Sequence, residues 1–408
     1  MTTATLTIDE LETINLADPM THSTRDLADY WRLLRTRRPV FRHPETENGP
    51  AFWVLSRYAD LLAVYRDNER FISSRGNVLT TLLNGGDSAA GKMLAVTDGR
   101  RHRQLRAVLL KAFSPRALDR VAEQVRRTTR ERVRAVVADG ECDFAKDVAA
   151  HIPMGTICAL LGVPEEDQEF LLRLNKSALS SDDAAATDRD ARLARNEILM
   201  YFSGLADQRR FDPRDDVISV LATETIDGKE LTDDEIVLNC YSLILGGDET
   251  SRLSMIGAME AFTRYPEQWR ALRDGEVAVE TATEEVLRWM TPTLHFGRVA
   301  RYETTVGDQL IPAGEAVTLW NCSANRDEEA FPDPYAFDLA RTPNKHLTFG
   351  HGPHFCLGAY LARVEIGALL ESVREMVDSI AVSGEVRRIH SNFLTGISQL
   401  PLTLTARS

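Results

Sequence analysis

Cys356 lies in Phe349-Gly350-His351-Gly352-Pro353-His354-Phe355-Cys356-Leu357-Gly358, a stretch whose residue types could present a thiolate. A cysteine on its own is more often a small buried hydrophobe than a ligand. Here Gly350 and Gly352 permit backbone conformations and close approaches that a side chain would block. Leu357, Leu361, Val364 and Leu369 follow at helical spacing, so Cys356 stands where a helix starts. The positive end of that helix and its free amide hydrogens favour a thiolate over a thiol. Amide hydrogen bonds to the sulfur would tune an iron held there.

A second constellation is Leu243-Ile244-Leu245-Gly246-Gly247-Asp248-Glu249-Thr250-Ser251, inside a helical pattern from about Thr232 to Arg264. Two adjacent glycines within a helix cost roughly 1 kcal/mol each relative to alanine. Either they allow tight helix packing, or a flat cofactor and a diatomic ligand approach the backbone there. Thr250 can bond back to the Gly246 carbonyl and open a local groove. A hydroxyl beside the Glu249 carboxylate can relay protons from water. Asp248 reads as a solvated or Arg252-paired helix residue, or else as a second proton route or polar contact. His102 and Arg106 lie one helical turn apart and share a face, as would any solvated basic helix. Glu285 and Arg288, three apart, alone suggest a surface ion pair worth a few tenths of a kcal/mol.

The elements that must position these groups are mainly helical. Pro39–His43 and Ala51–Tyr58 read as strands joined by an Asn48-Gly49-Pro50 turn. Apolar residues at helical spacing then run from Asp60 to about Leu287, with Ser114-Pro115 starting one helix and a capping box at Thr232 starting another. Ser73–Val96 reads as a long loop and Ser180–Ala194 as a polar, mobile connection. Phe296–Leu319 is strand-like, with turns at Gly307-Asp308 and Pro312-Ala313-Gly314. A last helix follows Cys356, and strands close the chain around Gln399–Thr405. The fold class is mainly α with a minor β region.

The chain has 408 residues, 43% apolar and 27% charged, as in ordinary globular proteins. A net charge of -13 argues against a general nucleic-acid binder and against docking on anionic membrane. No segment approaches the ~20 apolar residues of a membrane span. Thr2–Pro19 lacks the basic start and apolar centre of a signal peptide. Five scattered cysteines form neither a disulfide framework nor a zinc pattern, so a reducing cytoplasm is expected.

The cysteine segment resembles the haem-binding loop of the cytochrome P450 superfamily, F-G-x-G-x-H/R-x-C-x-G, at every defined position. Gly246–Thr250 resembles the same family's A/G-G-x-D/E-T motif, and Glu284-Glu285-Val286-Leu287-Arg288 its E-x-x-R helix. From about Asp98 to Gly358 the likeness is continuous, and it is closest to soluble bacterial members. It implies a single domain over residues 1–408, a helix-rich triangular prism with small sheets. Haem b would lie between an oxygen-activating helix and the cysteine-ligand helix. Cys356 would bind the iron, with Phe349, Gly350 and Gly247 also touching the cofactor. His102, Arg106, Arg298 and His354 would anchor the propionates. Thr250 would hydrogen-bond the bound O2 while Glu249 helps deliver protons. Glu285, Arg288 and Arg341 would form a buried structural triad.

The resemblance also implies a monooxygenase acting on a medium-sized, mostly hydrophobic substrate, in bacterial secondary metabolism. Family architecture would line the pocket with Leu79, Leu82, Leu83, Met93, Leu243, Thr293, Leu294, His295, Phe296, Phe393 and Leu394, where Thr293 and His295 supply polar handles. Electrons would come from NAD(P)H through a ferredoxin and its reductase to a monomer. The ferredoxin would dock on a basic face comprising Arg100, Arg101, Arg103, Arg106, Lys111, Arg116 and Arg120. No nucleic acid or membrane partner is expected. Oxidative coupling or ring formation, possible on a carrier-tethered intermediate, is the alternative within the fold. A haem-based gas sensor is the alternative from another class.

Overall fold

A computed structural model describes residues 9–179 and 188–407. Most of the core is helical. The helices that matter for the site are α1 (Gly99–Ala112), α2 (Pro115–Asp139), α3 (His151–Leu161), α4 (Gln168–Leu179), α5 (Asp233–Arg264), α6 (Val279–Met290) and α7 (Ala359–Met376). The Ser114 hydroxyl accepts from the Ala117 amide at 3.3 Å and starts α2, with Pro115 in the first turn. At α5 the capping box is complete: Thr232 accepts from the Glu235 amide, and Glu235 accepts from that of Thr232. Both starts are legible in the sequence because a cap is a local bond between near neighbours.

α5 threads the centre of the molecule, packed on α3, α6 and α7. Ile157, Ile244, Ile256, Val286 and Leu369 bury their side chains in the cluster they share. A five-stranded sheet stands beside this core: β1 (Val40–His43), β2 (Phe52–Leu55), β3 (Phe71–Ile72), β4 (His295–Ala300) and β5 (Ala316–Trp320), in the order β1-β2-β5-β4-β3. Only β2 and β5 pair in parallel, and Arg298 on β4 lies opposite Val317 on β5. Pro401–Ala406 pairs with Val377–Val382 and with Glu141–Asp143, which fastens the C-terminal strands to the end of α7 and of α2.

Three expectations about elements change. The Ser73–Val96 loop contains a short helix at Leu79–Leu83 and a turn of 3-10 helix at Leu94–Val96. Of the polar connection at Ser180–Ala194, residues 180–187 lie outside the described residues, and a helix already runs from Asp188 to Phe211. The helix after Cys356 starts at Ala359, so the cysteine precedes its first turn.

Candidate functional site

The cysteine loop is shaped by what lies behind it. Gly350 and Gly352 adopt φ of +65° and +71°. A Cβ on Gly352 would meet the Tyr65 carbonyl at 2.3 Å, so this close approach demands glycine. The loop returns on itself through the Cys356 amide, which donates to the Phe349 carbonyl at 3.0 Å. Cys356 presents an exposed surface, yet the protein packed behind it still governs its titration. Burial raises the thiol's pKa, while the Gly358 amide and the Arg106 and Arg363 charges oppose that rise. Arg363 lies 4.7 Å over the Phe349 ring and is held by Glu284 at 2.6 and 3.0 Å. A cation so fixed favours the thiolate, and nothing in the sequence near Cys356 points to it.

On α5 the two glycines divide the explanations offered for them. A Cβ on Gly247 would stand 3.0 Å from Ile157 of α3, so this glycine serves helix packing. Gly246 is exposed and a Cβ there would meet nothing within 4 Å. Leu243, Gly246, Gly247 and Thr250 follow one helical stripe, and all four are half-buried or exposed. Thr250 Oγ1 donates to the Gly246 carbonyl at 3.2 Å. Glu249 is buried and takes two bonds from Arg252, at 2.9 and 2.5 Å. Asp248 is neither solvated nor the partner of Arg252; it is fully buried and accepts from Asn175 of α4 at 2.5 Å. Sequence reasoning missed this because the partner is 73 residues away.

The predicted anchors come together around the cysteine loop. His102 is buried, its ring 4.2 Å from that of His354, and neither of its ring nitrogens has a partner among the described residues. Burial, then the His354 and Arg106 charges, hold its pKa down at about 4, so the ring is neutral and able to donate one hydrogen bond. Arg298 is buried too, 5.7 Å over the Tyr65 ring, with its guanidinium donating to the Gly297 carbonyl at 2.6 Å. Arg106 donates to the Phe355 carbonyl at 2.8 Å. Asp98, which the sequence presents only as the residue before α1, binds the Ser73 and Ser74 amides at 2.9 and 2.8 Å and approaches His354 at 3.5 Å. Burial works to raise its pKa, but His354 and those amides outweigh it and hold the carboxyl at about 2.

Behind the loop, Glu285 and Arg288 are fully buried and joined by two bonds of 2.7 Å, and Arg341 adds a third contact at 3.2 Å. Asn344 and the Asp338 amide fill the remaining positions around Glu285, each at 3.0 Å. The two arginines donate onward to the carbonyls of Asn325, Pro332, Asp333, Pro334 and Ala336. This is an interior network rather than a surface ion pair.

Leu82, Leu83, Met93, Leu243, Phe296 and Phe393 are half-buried, with Phe393 6.1 Å from Phe296. Leu79, Leu294 and Leu394 turn into the packing. The polar handles do likewise. His295 is fully buried between Trp320 and Phe393, and its Nε2 accepts from the Leu79 amide at 3.2 Å. Burial first, then His22, pushes its pKa down to about 3. Thr293 is buried in a bridge to Leu394. The polar handles expected from the sequence are therefore buried, while the six half-buried side chains are all apolar.

Among the described residues no group of three or more His, Cys, Asp or Glu side chains could hold a metal ion. An iron on Cys356 must bring its other ligands with it, as a macrocycle does. A dianionic haem also fits a buried Arg298 and a His102 that have, among the described residues, no carboxylate partner and no ring-nitrogen partner respectively.

Residues 277–375 match the family model described as Cytochrome P450. The chain is 46% identical over 404 residues to Cytochrome P450 NovI of Streptomyces niveus, covering 99% of each chain. It is 33% identical to a methyl-branched lipid omega-hydroxylase of Mycobacterium tuberculosis, over 92% of this chain and 93% of that one. The crystal structure of P450 OxyD, involved in the biosynthesis of vancomycin-type antibiotics, superposes with a TM-score of 0.87 at 34% identity, covering 97% of this chain and 100% of that one. With the glycine-shaped cysteine loop, the notched central helix and the buried cations in place, the chain belongs to the cytochrome P450 family and is a haem-dependent monooxygenase.

Proposed function

We propose that this chain hydroxylates or epoxidises a medium-sized, largely hydrophobic small molecule in bacterial secondary metabolism, as a cytoplasmic monomer of one domain. Thr250 carries this reading: a hydroxyl on the open stripe of α5, bonded back to Gly246, has little structural reason to be there. Haem, bound by Cys356 and anchored through Arg106, Arg298, His102 and His354, would supply reductive activation of O2, which a thiolate ligand favours. Thr250 would hydrogen-bond O2, turning its one hydroxyl hydrogen away from the Gly246 carbonyl to do so. Glu249, next in the chain and oriented by Arg252, would pass protons to that hydroxyl. Leu82, Leu83, Met93, Leu243, Phe296 and Phe393 would exclude water and hold an apolar substrate. The lipid hydroxylase among the relatives supports that substrate class.

A compound screen for spectral change of the ferric haem protein, followed by product analysis, tests the reading. Hits confined to apolar molecules that gain one oxygen atom agree with it. Thr250→Ala should lower product per NADH consumed by on the order of 10²-fold while hydrogen peroxide rises. Unchanged coupling would remove Thr250 from the relay. OxyD's role in antibiotic biosynthesis favours one second reading, oxidative coupling on a biosynthetic intermediate, so free and carrier-bound substrates belong in the same screen.

Electrons would arrive from NAD(P)H through a reductase and a ferredoxin docked beside α1. That face is less basic than the sequence suggests. Arg100, Arg101, Lys111 and Arg120 pair with Asp227, Glu235, Glu224 and Asp215. Arg103 and Arg116 remain exposed, and Arg106 lies beside the cysteine loop. Turnover should therefore fall only a few-fold between low and physiological salt. A flat response would exclude electrostatic docking there.

A further inference from the structure

Asp248 and Asn175 are both fully buried, and with Asp248 ionised their two groups hold too many acceptors. Asn175 Nδ2 donates to Asp248 Oδ2 at 2.5 Å. The second oxygen of each group, Asp248 Oδ1 and Asn175 Oδ1, has no partner among the described residues. Two buried acceptors left unpaired in one contact are costly. A single hydrogen on Asp248 Oδ1 would satisfy both, closing the two-bond ring that a carboxylic acid forms with an amide.

We propose that Asp248 is a neutral carboxylic acid in the folded protein, joined to Asn175 by two hydrogen bonds that latch α4 onto the central helix α5. The latch lies away from the open stripe. Asp248 is two residues from both Gly246 and Thr250, about 200° around the helix. It is a positioning residue, distinct from the proposed relay of Thr250 and Glu249, and its test does not depend on that relay.

Burial and the neighbouring acid favour the proton over the nearby cations. On α5 itself stand Glu249 and Arg252, which are bonded to each other, and on α4 Lys176 follows Asn175. Cys158 of α3 is near enough to feel the Asp248 charge. Glu365 of α7 is buried, bonded to Ser251 and Thr156, and burial with the Asp248 charge raises its pKa to about 7. Burial, then Glu249, raises Asp248 to about 7 as well, with Arg252, Asn175 and Lys176 opposing. For an acid raised by folding, the stabilisation is complete below the ordinary carboxylate range. It is lost as pH rises to about 7 and is flat beyond. Within that window the folding equilibrium falls by about tenfold per pH unit.

Asp248→Asn retains the ring as an amide–amide pair and has no proton to lose. The test is urea unfolding of the haem-loaded protein from pH 5 to 8, with infrared spectra of the folded state at pH 6, for the parent, Asp248→Asn and Glu365→Gln. The expected result is that from pH 5 to 7 the parent loses stability relative to Asp248→Asn by about tenfold per pH unit, that Glu365→Gln keeps this Asp248-dependent decline while losing its own, and that at pH 8 Asp248→Asn is at least as stable as the parent. A protonated-carboxyl carbonyl band should be present in the parent and in Glu365→Gln, and diminished in Asp248→Asn. Three results would overturn the latch: Asp248→Asn less stable than the parent at pH 8 or unable to fold, a band that Asp248→Asn leaves intact, or a stability difference between the parent and Asp248→Asn that does not change from pH 5 to 7.

Discussion

Glu285→Ala is expected to destabilise the protein by about 3–5 kcal/mol and to release haem. The substitution leaves Arg288, with no exposed surface, and Arg341 as buried cations with no carboxylate between them. It also strands the Asp338 amide and the Asn344 side chain. The damage spreads because both arginines hold the carbonyls of the 325–336 segment. Asn325 in turn accepts from the Leu347 amide at 2.7 Å and donates to Thr348 at 3.0 Å, immediately before the cysteine loop. Urea midpoints and retained haem absorbance, measured together, check this. A variant that keeps its haem with an unchanged midpoint would show that the triad does not support the ligand loop.

Cys356→Ser should do the opposite: spare the fold and abolish monooxygenation. The residue is exposed on its open side, and its backbone amide bond to Phe349 does not depend on the side chain. The change in stability should stay within about 0.5 kcal/mol, as for other substitutions outside the packed core. What disappears is the soft, electron-donating sulfur that the Gly358 amide, Arg106 and Arg363 surround. The absorption of the reduced carbonyl adduct should move away from the thiolate position, and NADH-dependent product formation should cease. A variant with the parent's carbonyl spectrum would mean that another residue binds the iron. The pair of substitutions separates the loop's support from its chemistry.

Some of this was legible residue by residue. The caps at Ser114 and Thr232 and the glycine turns at 307 and 314 involve partners close in sequence, and each stands as read; the spacing of Glu285 and Arg288 gave their pairing but not their burial. Arg341 was legible only through family resemblance, since its partner is 56 residues away. Asp98 and Arg363 were not legible. An acid before a helix reads as a cap, yet Asp98 binds Ser73 and Ser74, and Arg363 acts through a ring and a carboxylate from another helix.

By itself the sequence determined the mainly helical class and the local bonds that start helices and close turns, because each is written in contiguous spacing, while the Cys356 loop, the Gly246–Thr250 stretch and the cations around them were legible through resemblance to the family's motifs. Only the tertiary structure decided which way these groups face. It gave Gly247 to Ile157 and Gly246 to open space, paired Arg252 with Glu249 and Asp248 with Asn175, turned Thr293 and His295 inward, and neutralised much of the α1 face. The physical reason is that burial and long-range pairing belong to the assembled packing of α3, α4, α5 and α7. A helical period states which residues share a face and leaves open what that face will meet.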